Sequence, residues 1–219
     1  MNYLEFPRFT INLLPDKNFR EIILNFYKEN DDLKKDHMPM SKHDLSVTLK
    51  APFYIDHLDN EEKLISSFLN LKKEIDIPNI INFNKLSYEL INHNSHFRLE
   101  LEKNTAFDFF SNQIIRRYDE FRKVLNPNDF QKDISRFGKL TESQILNYQI
   151  WGYPYLFKGH SHHIFILDLL YEDQKNSEKL FSDLKIILQN HGTLNLAKIA
   201  ICKQSCENEA FNIISSIDL

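Results

Sequence analysis

Leu45-Ser46-Val47-Thr48-Leu49-Lys50 alternates apolar and polar side chains, the period-two signature of a strand with one face in a core. Leu45, Val47 and Leu49 then point inward, and Ser46, Thr48 and Lys50 line up on the opposite face. A second strand is read over residues 162–170, where His163 and Phe165 share a face by the same parity. Two polar-faced strands, one in each half of the chain, are natural walls for a cleft.

Outward from these two strands, helical and strand patterns alternate without a Gly/Ser/Pro-rich linker. Residues 8–14 read as a first strand. A helix over 16–28 follows, with Phe19, Ile22, Ile23 and Phe26 on one stripe, and then a polar loop over 29–42. Asp59 and Glu62 are spaced to open a helix over 60–72. Strands are read at 75–83, 85–91 and 97–101, then a helix over 105–121 carrying Phe107, Phe110, Ile114, Tyr118 and Phe121, with Pro127 ending or restarting the chain after it. Thr141 and Gln144 form a capping box for a helix to about residue 150, and Gly192 is placed to cap a helix over 177–190. Closing strands fall at 196–202 and 210–217. The expected fold class is α+β, with mostly antiparallel sheet and helices on its outer face.

Composition narrows the function. The chain has 219 residues, 42% hydrophobic and 26% charged, with 18 Phe, which is globular and long enough to bury roughly 70% of its unfolded surface. It carries only 4 glycines, where an average chain has about 7%. None falls in a G-x-G-x-x-G or G-x-x-x-x-G-K-[ST] spacing, so Rossmann and P-loop phosphate cradles are excluded. A net charge of −4 gives no global field for a long nucleic acid or an anionic membrane. No signal-like start and no run approaching 18 apolar residues is present, so a cytoplasmic protein is expected. Cys202 and Cys206 supply at most half a zinc site and read as reduced structural thiols.

Three stretches resemble one family in order and spacing. They are Ser46-Val47-Thr48-Leu49-Lys50-Ala51-Pro52-Phe53, Arg117-Tyr118-Asp119-Glu120-Phe121-Arg122, and Trp151-Gly152-Tyr153-Pro154-Tyr155 followed eight residues later by His163. The family is the two-histidine (2H, LigT-like, 2′,5′-RNA ligase-like) phosphoesterase superfamily, in its phosphonate-metabolism branch. The resemblance covers nearly the whole chain. It implies a single domain over residues 1–219, built of two pseudo-symmetric lobes around a central cleft. Each lobe would contribute one His-x-Thr strand, near 46–48 and near 163–165. The chemistry implied is metal-independent and cofactor-free: one imidazole takes a proton, the other gives one, and the threonines hold phosphate oxygens.

The sequence departs from that pattern at two of the four positions. Ser46 stands where the family has its first histidine, and Phe165 where it has its second threonine; Thr48 and His163 remain. A serine hydroxyl cannot replace imidazole in proton transfer, a contribution of about 10² to 10⁴ in rate. The expected catalytic pair is therefore His163 and Thr48, with Ser46, Lys50, Phe165 and Tyr155 binding substrate. The partner implied is a small phosphorylated molecule or nucleotide. Three functions follow from this set: a divergent binder with impaired or lost cyclic phosphodiesterase activity, an active phosphodiesterase with a substitute proton carrier, or a non-catalytic protein-interaction scaffold.

Other residues receive plainer readings. His160, His162 and His163 suggest metal, but the Asp-His that would complete that motif is Ile164-Phe165, and consecutive strand positions face opposite ways. His43 reads as a loop residue. Trp151, Tyr153 and Tyr155 either stack on a ligand or wedge the turn, and Arg116, Arg117, Arg122 and Lys123 read as a solvated helix face.

Overall fold

The computed structural model describes residues 7–30, 45–56, 59–91, 94–156, 162–169, 174–189, 191–206 and 209–219. His43 and His160 lie outside them. The strands are β1 (Arg8–Pro15), β2 (Val47–Tyr54), β3 (Ile80–Ile91), β4 (Asn94–Leu101), β5 (His163–Leu169), β6 (Thr193–Gln204) and β7 (Asn212–Asp218). The helices are α1 (Lys17–Glu29), α2 (Asp59–Leu69), α3 (Leu71–Glu74), α4 (Thr105–Arg117), α5 (Pro127–Ile134), α6 (Glu142–Trp151) and α7 (Gln174–Leu188).

All strand pairings are antiparallel, in the order β1-β2-β5-β4-β3-β6-β7, and β1 also pairs with β6. The first six strands therefore close into a barrel-like ring. Two groups are visible within it: β2-β1-β6-β7, and β5-β4-β3. They meet along two short seams, one at the single pair Val47–Ile164 and one at Ile80–Asn195 to Asn82–Thr193. The fold is thus α+β, mostly antiparallel, in two strand groups as expected.

One face of the sheet is the main core. Phe9, Ile11 and Leu13 of β1, Val47 of β2, Leu99 of β4 and Ile199 and Ile201 of β6 pack there against Ile23 of α1, Phe68 of α2, Ile114 of α4 and Leu184 of α7. The alternate residues of β1, Thr10 and Asn12, are buried too, but on the other face. There the Asn12 amide donates to the Cys202 sulfur at 3.6 Å. Burial pushes the Cys202 thiol up to about 11, so it is unreactive, whereas Cys206 is exposed.

Local signals account for most helix starts. The Asp16 carboxylate accepts from the Phe19 amide at 2.8 Å, and Asn104 and Asn126 cap α4 and α5 in the same way. The Thr141–Gln144 capping box is formed in both directions.

Four expectations are corrected. Residues 75–83 and 85–91 are not two strands: β3 runs unbroken from Ile80, and Asn84 is absorbed as a bulge against Leu101 and Glu100. The helix expected to residue 121 stops at Arg117 and continues as a 3₁₀ turn, Asp119–Phe121. Gly192 is not a left-handed cap; the glycines with positive φ among the described residues are Gly138 and Gly152, and Gly192 instead accepts from the Phe83 amide on entering β6. Lys50 does not share a face with Thr48. Its neighbour Leu49 is an extra residue in β2, since Ile11 pairs with Lys50 while Asn12 pairs with Thr48. That bulge turns Leu49 and Lys50 both inward.

Candidate functional site

β2 and β5 are the facing edges of the two strand groups, and they carry the two half-motifs. Their one described pair is Val47–Ile164, so Thr48 and His163 are the next residues of the two strands at the point where these part. A polar row crosses the sheet through this point. Ala200 pairs with Asn12, Asn12 with Thr48, His163 with Glu100, and Glu100 with Lys85. The Lys85 ammonium lies 3.6 Å from the Glu100 carboxylate.

Past Val47–Ile164 a cavity of about 200 Å³ lies between the two strands. Thr48, Ala51 and Pro52 line it from β2, His162 and His163 from the start of β5, and Tyr153 and Leu156 close it from the turn after α6. The structure thus brings Thr48 and His163 to one cavity. Thr48 is exposed toward it and His163 is half-buried.

The remaining candidates are placed differently. Ser46 is buried just before β2 and is not among the described residues lining the cavity. Phe165 is in β5, and its side chain lies outside the described residues. Tyr155 is outside the lining as well, 39% exposed, with its ring 5.6 Å from Tyr153 and 6.0 Å from Phe137. Tyr153, two residues earlier, takes the cavity position. Lys50 is 3% exposed and its ammonium donates to Asp119 Oδ1 at 3.1 Å and to the Ile115 carbonyl at 3.4 Å, near the C-terminus of α4.

That lysine opens a chain of contacts through all three sequence stretches singled out above. Asp119 also accepts from Arg122 Nε at 2.8 Å, and Arg122 Nη2 donates to the Ile150 carbonyl at 2.6 Å. Arg122 lies so close under Gly152 that a Cβ there would stand 2.7 Å from its Cδ. Gly152 has φ +75°, ends α6 with its amide on the Tyr148 carbonyl, and turns the chain toward Tyr153. Of the arginines expected on a solvated helix face, Arg116 is exposed and Arg117 makes a part-exposed pair with Glu74, but Arg122 lies beyond the helix and is built into this network. Burial lowers the Lys50 ammonium to about 8, against the pull of Asp119. Burial raises the Asp119 carboxyl, but Arg122 and Lys50 outweigh it and hold the group below its usual value.

No cluster of three His, Cys, Asp or Glu suited to an ion occurs among the described residues, which include His162 and His163. His162 is 9% exposed, with its ring edge-on to Phe107 at 4.7 Å and Nε2 3.8 Å from Asp108. No helix among the described residues is long and apolar enough to cross a membrane.

Sequence reasoning missed the wall beyond Pro52. Two further cavities share that residue, and Asp133 lines both. Burial pushes the Asp133 carboxyl up to about 6, with Arg8 pulling the other way. No local pattern joins residues 8, 52, 133 and 153, so only the folded chain shows them together.

Fold and site define an α+β protein whose two facing edge strands border a largely apolar cavity into which a threonine and two histidines bring polar groups. The chain belongs to the family described as "Protein of unknown function (DUF1045)", whose model matches residues 48–212, from Thr48 through His163. No curated protein matches it in sequence. Among solved structures it is similar to Usb1 of Kluyveromyces marxianus, at 7% identity and TM-score 0.44 over 97% of this chain and 98% of that one. It is also similar to E. coli LigT complexed with NADP+, at 13% identity and TM-score 0.45 over 99% of both chains.

Proposed function

We propose that this chain is a single-domain, divergent 2H phosphoesterase-like protein that binds a small phosphorylated molecule or nucleotide between Thr48 and His163, with cyclic phosphodiesterase activity impaired or lost. The reading rests on the Thr48–His163 juxtaposition across the β2–β5 seam, at the lip of one cavity. A threonine hydroxyl and an imidazole suit phosphate oxygens, the imidazolium adding a charge-assisted hydrogen bond. Ser46 cannot supply the second proton transfer, and the Lys50 ammonium is engaged by Asp119 away from the cavity. With one cationic contact fewer, affinity for bare phosphate is near millimolar, about −4 kcal/mol.

A second reading, an active phosphodiesterase, has one observation in its favour: His162 also borders the cavity. The two readings part in a single experiment, an NMR titration of the His163 ring signals with phosphate and with a 2′,3′-cyclic nucleotide, followed by product analysis. Shifts without turnover are expected. Turnover lost in His162→Ala would establish the second reading, and flat signals with both ligands would remove the anion site altogether.

A further inference from the structure

The cavity between Thr48 and His163 has a neighbour. A space of about 260 Å³ shares Pro52 and Tyr153 with it and is bordered by the rings of Tyr54, Phe137 and Tyr148 and by two charged side chains, Arg8 and Asp133. A carboxylate lodged among aromatic rings works against folding, and burial pushes this one up to about 6. A perturbed carboxyl in a cavity, with a guanidinium on the same wall, is a candidate binding group.

Arg8 is held from behind. Its Nε donates to Gln204 Oε1 at 2.9 Å, Nη2 donates to the same oxygen, and Gln204 is in turn fixed by its amide nitrogen on the Glu209 carbonyl at 2.7 Å. The guanidinium also lies 5.7 Å over the Phe211 ring. The fork is thus oriented before any ligand arrives.

Strand geometry decides what the pair does. The two cavities adjoin at Pro52 and Tyr153, but Tyr54 is opposite Arg8 and Thr48 is opposite Asn12, so Arg8 and the partner of Thr48 stand four residues apart on β1, about 13 Å at 3.3 Å per residue. Asp133 lines the cavity that Arg8 borders and is not among the described residues that line the one holding Thr48 and His163. A gap of that size suits the two ends of one extended ligand.

We infer that the Arg8–Asp133 cavity is a second subsite, which receives a flat, hydrogen-bonding ring of the nucleobase type from a ligand whose phosphate lies between Thr48 and His163. Arg8 donates to a ring oxygen or nitrogen, Asp133 accepts from an amino or imino N–H, and the tyrosine rings cover the faces. The inference rests on the anion reading above, and it deepens it by naming the rest of the ligand.

Calorimetric titration of the whole chain with inorganic phosphate, ribose 5-phosphate, the four nucleoside 5′-monophosphates and the corresponding nucleosides tests it. At least one monophosphate is expected to bind about tenfold or more tightly than ribose 5-phosphate. Asp133→Asn and Arg8→Gln should each erase that advantage and leave ribose 5-phosphate unchanged; if Arg8→Gln does not fold, Asp133→Asn decides. Monophosphates no tighter than ribose 5-phosphate, or variants that weaken both alike, overturn the subsite and leave the anion site standing. Nucleosides that bind in an Asp133-dependent way while phosphate and ribose 5-phosphate do not would keep the subsite and remove the anion site.

Discussion

The Lys50 ammonium lies 3.1 Å from the Asp119 carboxylate, sixty-nine residues apart in sequence and nearly out of solvent's reach. Asp119 has a second cation, Arg122, whereas the lysine depends on Asp119 and one carbonyl. Removing the acid therefore strands a buried charge. Asp119→Ala is expected to cost about 3–5 kcal/mol in urea unfolding at pH 7, and Lys50→Met far less, because it leaves Asp119 paired with Arg122. Equal losses would contradict this account.

The same lysine gives a pH signature. Its value is lowered to about 8 in the folded chain from 10.5, so between those values the unfolded state holds more protons and stability rises with pH. Full relief amounts to roughly 3 kcal/mol. Unfolding midpoints of wild type and Lys50→Met, compared at pH 8 and pH 10, should draw further apart, because wild type gains with pH and the variant does not. A constant difference would show that burial does not depress the group.

Gly152→Ala should lower the melting temperature by several degrees. The position has φ +75°, and the new methyl would meet Arg122 at 2.7 Å. Displacing Arg122 also removes its bond to the Ile150 carbonyl and moves Tyr153, so phosphate affinity should fall along with stability. Gly138→Ala is the control, since its φ is +69° but nothing lies within 4 Å of its Cβ.

Asp133 has the opposite sign from an ordinary carboxylate. Its folded value is pushed up to about 6, so the native state holds more protons between the normal carboxylate range and pH 6, and stability falls as pH rises through that window. Asp133→Asn should raise the melting temperature at pH 7 and change it little at pH 4.5. Destabilisation at pH 7 would mean that the carboxylate is used structurally.

Ser46→His with Phe165→Thr should bring hydrolysis of a 2′,3′-cyclic nucleotide above the wild-type level, by about 10² or more if the cleft is otherwise intact. Rates read by chromatography of the ring-opened product decide it. Wild-type turnover matching the double variant would show that another group already serves.

What could be read in advance was what is local. The Phe19–Ile23–Phe26 stripe with Asp16 before it, and the Thr141–Gln144 box, each carry their signal within a few residues. Parity at 48 and 163 agrees with Thr48 and His163 lining one cavity, but the same parity puts Ser46 there, and Ser46 is buried outside the lining. Parity failed again two residues past Thr48, because a bulge at Leu49 leaves no mark in an alternating pattern: Leu49-Lys50-Ala51 reads the same with or without it. Asn84 deceived in the other direction, a bulge that looks like a turn. The Arg8–Asp133 cavity was illegible for a third reason, that its charged walls come from β1 and α5.

Closure of the ring also bears on how the protein avoids sticking to itself. Strands β1 and β6 are paired on both sides, and among the backbone rims left open in the described residues are the outside of β7 and β2 beyond Val47, where it has left β5. Both are defended. Pro52, which has no amide hydrogen to offer, stands on the second rim, and the Lys72 ammonium occupies the Asp218 carbonyl on the last strand at 2.7 Å. The cavity can therefore stay open to a ligand without the gap between β2 and β5 becoming an invitation to aggregate.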